Sequence, residues 1–334
     1  MNQTSPGPTQ AAAAPLTSNA VFLVVTVDQE RVDDVRDVLT DLADAMKAIT
    51  FRFPDAGLTC TVGIGADLWT PLTGSTPPAQ LRPFAPVVGG THTAPATPGD
   101  LLFHIRSERA DVCFFFETRL LEALGDAVHV EDETVGFRSF DRRDLLGFVD
   151  GTANPVGPEV DEAVIVGDQD PVHAGGTYVV TQKYVHSMTG WNALPTETQE
   201  RILGRTKVDG IELDDAPSGQ KSHKSLATIV DADGVEHDII RDNMPFGRPG
   251  AGEFGTYFLG YSRDLWVIQK MLERMFVGEP AGMHDRLLDF STPLTGSVFF
   301  APSGATLASM VAPEATTPGP AAPAVTASEV SAAE

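Results

Sequence analysis

The chain has 334 residues, of which 46 are acidic and 23 basic, so its formal charge at neutral pH is −23. Proteins that bind nucleic acid or anionic membranes neutralise phosphate with clustered Lys and Arg, and the composition therefore argues against both classes. An apolar content of 42% with 21% charged residues is typical of a globular protein, and the length predicts about two domains. These values exclude disorder of the whole chain.

The cysteines and the N-terminal residues indicate the cellular compartment in which the protein works. Cys60 and Cys113 form neither a CxxC pair nor a CxxCH haem-attachment signature, which argues against a disulfide framework or a cysteine zinc site. No Lys or Arg precedes Arg31, so the positive region of a secretory signal is missing. The first apolar run, residues 21–27, is too short to span a bilayer. We therefore expect a cytoplasmic protein.

Both ends of the chain are rich in Pro, Ala, Thr and Ser and offer little to bury. Residues 1–19 and 311–334 are predicted to be disordered tails. The ordered region between them is predicted to form two domains, over residues 20–146 and 147–310.

The first half alternates apolar runs of strand and helix type. The β-branched run 21–27 predicts a buried strand, Asp28 stands where a helix N-cap would be, and apolar residues at helical spacing follow from Val32 to Ile49. The remaining predicted elements are strands at 58–64 and 101–105, a helix over 110–124 and a strand near 128–140. The order is β-α-β-β-α-β.

The second half is less regular but compatible with the same unit. Its predicted strands lie near 178–185, 225–230, 235–241, 256–261 and 298–301, and its helices near 196–203 and 262–276. The predicted fold class is α+β, with two ferredoxin-like domains, each an antiparallel sheet with helices packed on one face.

A glycine-flanked acid marks the boundary between the halves. Residues 147–155 read GFVDGTANP. One interpretation is a polar inter-domain turn, since Gly, Asp and Asn are common turn residues. The other is that Gly147 and Gly151 let the backbone pass close to a flat ligand while Asp150 projects over it.

A predicted hairpin supplies a second group of polar residues. The Asp-Gly pair at 233–234 is a hairpin signal between two apolar runs, and folding back there brings His223 and Arg241 to the same end. A planar ligand would fit between them. The alternatives are a solvated histidine and a structural ion pair of Arg241 with Asp150. The other seven histidines show no HExxH or paired spacing: His92, His104, His129, His173, His186, His237 and His284.

These motifs together carry a resemblance to a known family. GFVDG at 147–151, His223, and IIRDNMPFG at 239–247 occur in this order, and over about residues 20–312 the sequence resembles a dye-decolorizing peroxidase of the bacterial B-type subgroup. The resemblance implies one haem b per chain, held in the C-terminal domain. It also implies heterolytic cleavage of hydrogen peroxide to form a ferryl intermediate, which oxidises dyes, phenolic compounds or other one-electron donors.

The resemblance implies roles for individual residues. His223 matches the haem ligand, and Asp150, Arg241 and Asn243 match the residues on the opposite, distal side, where Gly151 also lies against the cofactor. In HDRLLDF at 284–290, Asp285 matches an acid that accepts a hydrogen bond from the axial histidine, with Asp289 as the alternative. In GRTK at 204–207, Arg205 matches a residue that pairs with a haem propionate, with Lys207 as the alternative.

The residue types suit peroxide cleavage. An ionised Asp150 can relay a proton, while Arg241, which stays protonated, stabilises developing negative charge and Asn243 supports it. A carboxylate bonded to His223 raises the basicity of that ligand. Because an unperturbed aspartate titrates near about 3.9, we expect the best turnover below neutral pH.

The sequence offers two interpretations for residues that would carry electrons from the surface to the haem. Trp191, Trp266, Tyr184, Tyr257 and Tyr261 are candidate relays or core residues. Glu212 and Glu236 are a candidate manganese site or part of a solvated face.

The sequence is also compatible with two other functions. The alternatives are a haem-binding or haem-delivery protein without turnover and an acidic two-domain binding module without haem. The resemblance implies a homo-oligomer, from dimer to hexamer, and an encapsulin shell as a possible partner. Residues 328–334 lack the Gly-Ser-Leu peptide that docks such cargo, which makes encapsulation doubtful.

Overall fold

The computed structural model describes residues 9–215 and 218–310. The helices and strands of the first half are, in chain order, β1 (Asn19–Val27), α1 (Val32–Arg52), β2 (Thr59–Ile64), α2 (Ala66–Thr73), β3 (Val87–Val88), β4 (Thr93–Ala94), β5 (Leu101–Ser107), α3 (Ala110–Leu124) and β6 (Val128–Phe137). The predicted β-α-β-β-α-β order is present, with α2 and the β3–β4 hairpin inserted between the two middle strands.

The helices and strands of the second half begin at Glu159. They are α4 (Glu159–Val164), β7 (Thr177–His186), α5 (Met188–Asn192), α6 (Thr196–Leu203), α7 (His223–Ala227), β8 (Ile229–Val230), β9 (Glu236–His237), β10 (Ile240–Arg241), β11 (Met244–Arg248), β12 (Glu253–Ser262), α8 (Leu265–Phe276), β13 (Ser291–Pro293), β14 (Ser297–Ala301) and α9 (Gly304–Ala308).

The main sheet is antiparallel and passes through both halves. Its strand order is β10-β12-β7-β14-β2-β5-β1-β6, with β11 also paired to β12 and β13 to β7. The strands of the two halves meet where Phe300 of β14 pairs with Ile64 of β2. The α+β prediction with two ferredoxin-like units is therefore confirmed.

Apolar side chains fill both faces of this sheet. Val35, Leu39 and Leu42 of α1 are almost fully buried and belong to the core cluster that α1 and α3 form with the sheet, as the helical spacing predicts. On the other face the two halves meet, and Phe22 of β1 stacks on Tyr257 of β12 with ring centroids 4.1 Å apart. In the described part of the chain, every helix is too short or too polar to cross a bilayer.

The predicted N-terminal tail is wrong for its second part. The Gln10 side chain donates to the carbonyls of Val62 (3.0 Å) and Pro302 (2.9 Å) and accepts from the Val62 amide, while Ala12 is 1% exposed. A polar composition predicted disorder, but one glutamine satisfies backbone groups of Val62 in β2 and of Pro302 after β14, which composition cannot show. Residues 1–8 and 311–334, the rest of the predicted tails, lie outside the described residues.

The strand predicted at 225–230 is also wrong over most of its length. Residues 223–227 form α7, because the Ser222 hydroxyl accepts from the Ser225 amide and caps the first turn. The strand is reduced to Ile229–Val230, which pairs with β9 in the register Ile229 to His237. The predicted hairpin is therefore present but shorter.

Candidate functional site

A cavity of about 800 Å³ lies in the second half of the molecule. It is bounded by the loop around Asp150, by α7 and α8, and by strands β7, β10 and β12. Six of the seven residues that the resemblance assigns to the haem site line it: Asp150, Gly151, Arg205, His223, Arg241 and Asn243. Two motifs that lie far apart in the sequence therefore line one cavity: residues 147–155 and 223–247.

His223 is the first residue of α7 and is held by one strong hydrogen bond. Its Nδ1 lies 2.6 Å from Oδ2 of Asp285, and its side chain is 30% exposed toward the cavity. Because a carboxylate only accepts, Nδ1 carries the ring proton. Nε2 is the second ring nitrogen, and it has no hydrogen-bond partner among the described residues.

Asp285 is fully buried behind His223 and does not line the cavity. Its Oδ1 accepts from the Leu287 amide at 2.9 Å, and its own amide donates to the Met275 carbonyl at 2.7 Å. Both carboxylate oxygens and the backbone are therefore fixed. Asp289, the alternative, instead contacts His92 and His284 and lies away from His223.

Asp150 stands in the glycine-flanked loop. Gly147 and Gly151 adopt φ angles of 95° and 74°, which favour glycine, and a Cβ at Gly147 would meet the Lys207 side chain at 2.6 Å. Oδ1 of Asp150 accepts from the Gly151 amide at 2.7 Å. Burial raises the pKa of Asp150, although this amide and the positive charges of Arg241 and Arg138 oppose the rise.

Arg241 is fixed mainly through its backbone. Its amide donates to Oδ1 of Asn154 and its carbonyl accepts from Nδ2 of the same side chain, both at 2.9 Å. Nη2 lies 3.3 Å from the Ala227 carbonyl and 3.7 Å from Sδ of Met271. Burial lowers the pKa of Arg241, and the nearby Asp150 carboxylate opposes that effect.

No ion pair joins Asp150 to Arg241 within the described residues, although both line the cavity. The structural ion pair considered as an alternative is therefore not formed. Asn243 completes this wall: its Oδ1 accepts from the Leu259 amide at 3.3 Å, which directs the side-chain NH₂ away from that strand. Asp150, Arg241 and Asn243 thus all line the cavity.

Arg205 and Lys207 are placed differently. Arg205 lines the cavity, where Nη2 contacts Glu212 at 2.6 Å and Nη1 contacts the Gly210 carbonyl at 3.2 Å. Lys207 is outside the lining, because its Nζ donates to Gln199 at 2.6 Å and lies over the Phe148 ring. Of these two candidates, Arg205 is therefore the one that lines the cavity.

The aromatic and acidic candidates are divided between the core and the cavity. Tyr184 lines the cavity, as do Glu212 and Glu236. The remaining candidate relays lie in the core or at the surface: Trp191, Tyr257 and Tyr261 are fully buried, and Trp266 is 36% exposed.

Sequence reasoning missed a buried ion pair behind the distal wall. Nη1 of Arg106 in β5 lies 2.7 Å from Oδ2 of Asp242, and both side chains are fully buried. Asp242 alternates with Arg241 and Asn243 and faces the first half of the molecule. The available signal was an arginine inside the apolar strand LLFHIRS, which requires a buried partner.

The cavity fits a haem. Its volume suits a large cofactor, its apolar walls include Phe258, Leu272 and Met275, and it presents an unpaired imidazole nitrogen together with a guanidinium. Neutral imidazole is a common axial ligand of haem iron, and arginine pairs well with carboxylates such as propionates.

Comparisons with known proteins agree with this geometry. Residues 9–138 match the family model "Dyp-type peroxidase, N-terminal", and residues 141–306 match "Dyp-type peroxidase, C-terminal". The dye-decolorizing peroxidase of Mycobacterium tuberculosis is 52% identical over 294 residues, covering 88% of this chain and 88% of its own length.

Solved structures are equally similar. A DypB variant from Rhodococcus jostii RHA1 in complex with haem superposes with a TM-score of 0.87 at 49% identity, over 90% of this chain and 98% of that chain. The encapsulated DyP-type peroxidase from Mycobacterium smegmatis gives a TM-score of 0.88 at 52% identity, over 91% and 98%. The chain therefore belongs to the Dyp-type peroxidase family and is a haem-dependent peroxidase.

Proposed function

We propose that this enzyme reduces hydrogen peroxide by heterolytic cleavage at haem b, one per chain, held in the C-terminal domain by His223. The observation that carries the proposal is one cavity lined by His223, whose Nδ1 is bonded to Asp285, and by Asp150 and Arg241. Bound haem b would supply the redox-active iron that takes up the oxidising equivalents of peroxide.

Asp285 would set the strength of the axial ligand. Its buried carboxylate accepts the Nδ1 proton at 2.6 Å, which fixes the ring tautomer and increases the electron density on Nε2. An electron-rich ligand favours the higher oxidation states of iron, which a peroxidase requires.

Asp150 would act as the proton relay. In its ionised form it accepts the proton from one peroxide oxygen and returns it to the other, which then leaves as water. Burial disfavours the charged form and makes Asp150 a stronger base than an exposed aspartate.

Arg241 and Asn243 would stabilise the charge that develops on the leaving oxygen. The guanidinium stays protonated, and the amide NH₂ of Asn243 supplies a further donor. Gly151 has no side chain to obstruct the ligand beside Asp150, and Arg205 would pair with a carboxylate of the macrocycle.

Isosteric replacement of the proposed base tests this scheme. In Asp150→Asn, we expect the peroxide-dependent change in the haem absorption band to slow by at least about a hundredfold, because proton transfer contributes that much or more. Asp144→Asn is the matched control: it lies in the same loop, lines the cavity, and Asn retains the acceptor for the Phe148 amide.

Three outcomes separate the candidate functions. Equal rates in the two variants would remove Asp150 from the mechanism. Haem binding without any response to peroxide in the wild-type protein would indicate a haem carrier. Failure to bind haem would indicate a module of another kind.

We also propose the electron donors, the assembly and the location of this enzyme. Dyes, phenolic compounds and other small aromatic reductants would serve as electron donors, the chain would form a homo-oligomer in the cytoplasm, and its domains would divide at residues 146 and 147. The M. smegmatis relative is described as encapsulated, which supports an encapsulin shell as a partner. The Gly-Ser-Leu docking peptide is absent from residues 311–334, so such a shell would have to hold this chain by other contacts.

A further inference from the structure

A cluster of two histidines and one aspartate lies apart from the haem cavity. Oδ1 of Asp289 is 3.1 Å from Nε2 of His92 and 2.9 Å from Nε2 of His284. The two imidazole rings lie edge to face with centroids 4.7 Å apart, and the three donor atoms all lie within 4.8 Å of one another. None of the three residues lines the cavity.

We propose that His92, His284 and Asp289 bind a divalent first-row transition ion, of which Zn²⁺ is the representative probe. Two imidazoles and a carboxylate are a common donor set for such ions. Ligand atoms about 2.1 Å from a tetrahedral ion lie about 3.4 Å apart, so two of the three edges are within a few tenths of an ångström of that geometry.

The carboxylate is already oriented for this role. Nε of Arg286 lies 3.5 Å from Oδ2 of Asp289, which leaves Oδ1 directed at both imidazoles. Because that oxygen only accepts, each Nε2 donates to it, and a bound ion would take the place of these two hydrogen bonds. The side chains are between 20% and 33% exposed, so water can complete the coordination.

The ligands come from both halves of the molecule. His92 belongs to the turn between β3 and β4 of the first half, where its carbonyl accepts from the Gly89 amide at 2.9 Å. A Cβ at Gly89 would lie 2.0 Å from the Phe276 carbonyl, so this turn packs tightly on the end of α8. His284 and Asp289 flank Asp285, the residue bonded to His223. The ion would therefore link the two halves beside the haem ligand.

Calorimetric titration of the haem-loaded enzyme with Zn²⁺ tests the site. We expect one ion per chain, with binding at least about tenfold weaker in His92→Ala and in His284→Ala because each removes one ligand. His129→Ala is the control, since it removes an exposed histidine of β6, and its affinity should equal that of the wild type. Equal affinity in all four proteins would overturn the proposal.

Two further measurements test the site even if a substitution lowers the stability of the protein. With Cu²⁺ as the probe, electron paramagnetic resonance should show coupling to two imidazole nitrogens in the wild type and in Asp289→Asn, and to one in His92→Ala. The midpoint of thermal unfolding should rise with Zn²⁺ in the wild type and in His129→Ala but not in His92→Ala. Two coupled nitrogens in His92→Ala, or an equal rise in every variant, would contradict the assignment.

Discussion

The two walls of the haem cavity are built on different principles. On the wall of His223, a side chain holds a side chain: the imidazole is bonded at 2.6 Å to a carboxylate that is itself fixed at its other oxygen. On the wall of Asp150 and Arg241, Oδ1 of Asp150 accepts from the neighbouring Gly151 amide, and the backbone of Arg241 is held by the side chain of Asn154. The first arrangement fixes one ligand atom, whereas the second leaves charged atoms available to a substrate.

The pKa values of Asp150 and Arg241 indicate what that second wall is suited to. Burial raises the pKa of Asp150 and lowers that of Arg241, so each charged form is disfavoured by its surroundings. A polar molecule that entered between them would relieve this cost by accepting from one and donating to the other. We therefore interpret the distal wall as an arrangement prepared for substrate.

The largest effect is expected from breaking the fixed wall. Asp285→Ala removes the acceptor of the Nδ1 proton, and loss of such a partner typically weakens a metal ligand by about 10- to 100-fold. Titration of the haem-free protein with haem measures the affinity. Asp285→Asn retains an acceptor for the Leu287 amide and separates the charge from the loop structure. Unchanged affinity in both variants would contradict the role of Asp285.

The distal wall is tested by changing Arg241 alone. Arg241→Leu should slow the peroxide-dependent step by at least about tenfold while haem binding persists, as loss of one charge-stabilising donor does in other enzymes. Arg241→Lys keeps the charge without the planar fork and should fall between leucine and the wild type. Stopped-flow absorption measures both rates. A wild-type rate in Arg241→Leu would place charge stabilisation elsewhere.

A smaller effect is expected from the residue that positions Arg241. Asn154→Ala removes both hydrogen bonds to the Arg241 backbone and should slow the peroxide step by about three- to tenfold, since misplacement of a catalytic group reduces the rate. Haem affinity should not change. Thr152→Ala, in the same loop, is the control. Equal loss of haem affinity and rate would indicate a general disturbance of the loop.

The rate of the peroxide step should change gradually with pH, which is the smallest of the expected effects. As the pH falls through the raised pKa of Asp150, the ionised base disappears, so the rate of the peroxide step should rise through an acid limb that lies above about pH 4 and then level off. The slower Asp150→Asn enzyme should lack that limb. Rates measured by stopped flow across the acid range test this, and a wild-type rate that rises steadily to pH 8 would oppose it.

Local patterns predicted much of the fold. The spacing of apolar residues gave α3 and α6 with their observed bounds, because both helices follow the ordinary amphipathic rule. At 225–230, however, β-branched residues suggested a strand where the cap of Ser222 starts α7. A single side-chain hydrogen bond outweighed the local propensity there.

The site was predicted where residues carry recognisable motifs. His223, Asp150 and Arg241 line one cavity. The ion pair of Arg106 with Asp242 spans 136 positions and has no local signature, so only the folded chain identifies the partner. The cluster of His92, His284 and Asp289 was missed for the same reason, because its first ligand lies almost 200 residues from the others.

The most direct measurement is an absorption spectrum of the haem-loaded protein before and after the addition of peroxide, for the wild type and for His223→Ala. We predict that the wild type has a strong Soret band that changes when peroxide is added. In His223→Ala, the Soret band should be shifted or lost and should not respond to peroxide. A variant whose spectrum and peroxide response match those of the wild type would contradict the assignment of His223 as the haem ligand.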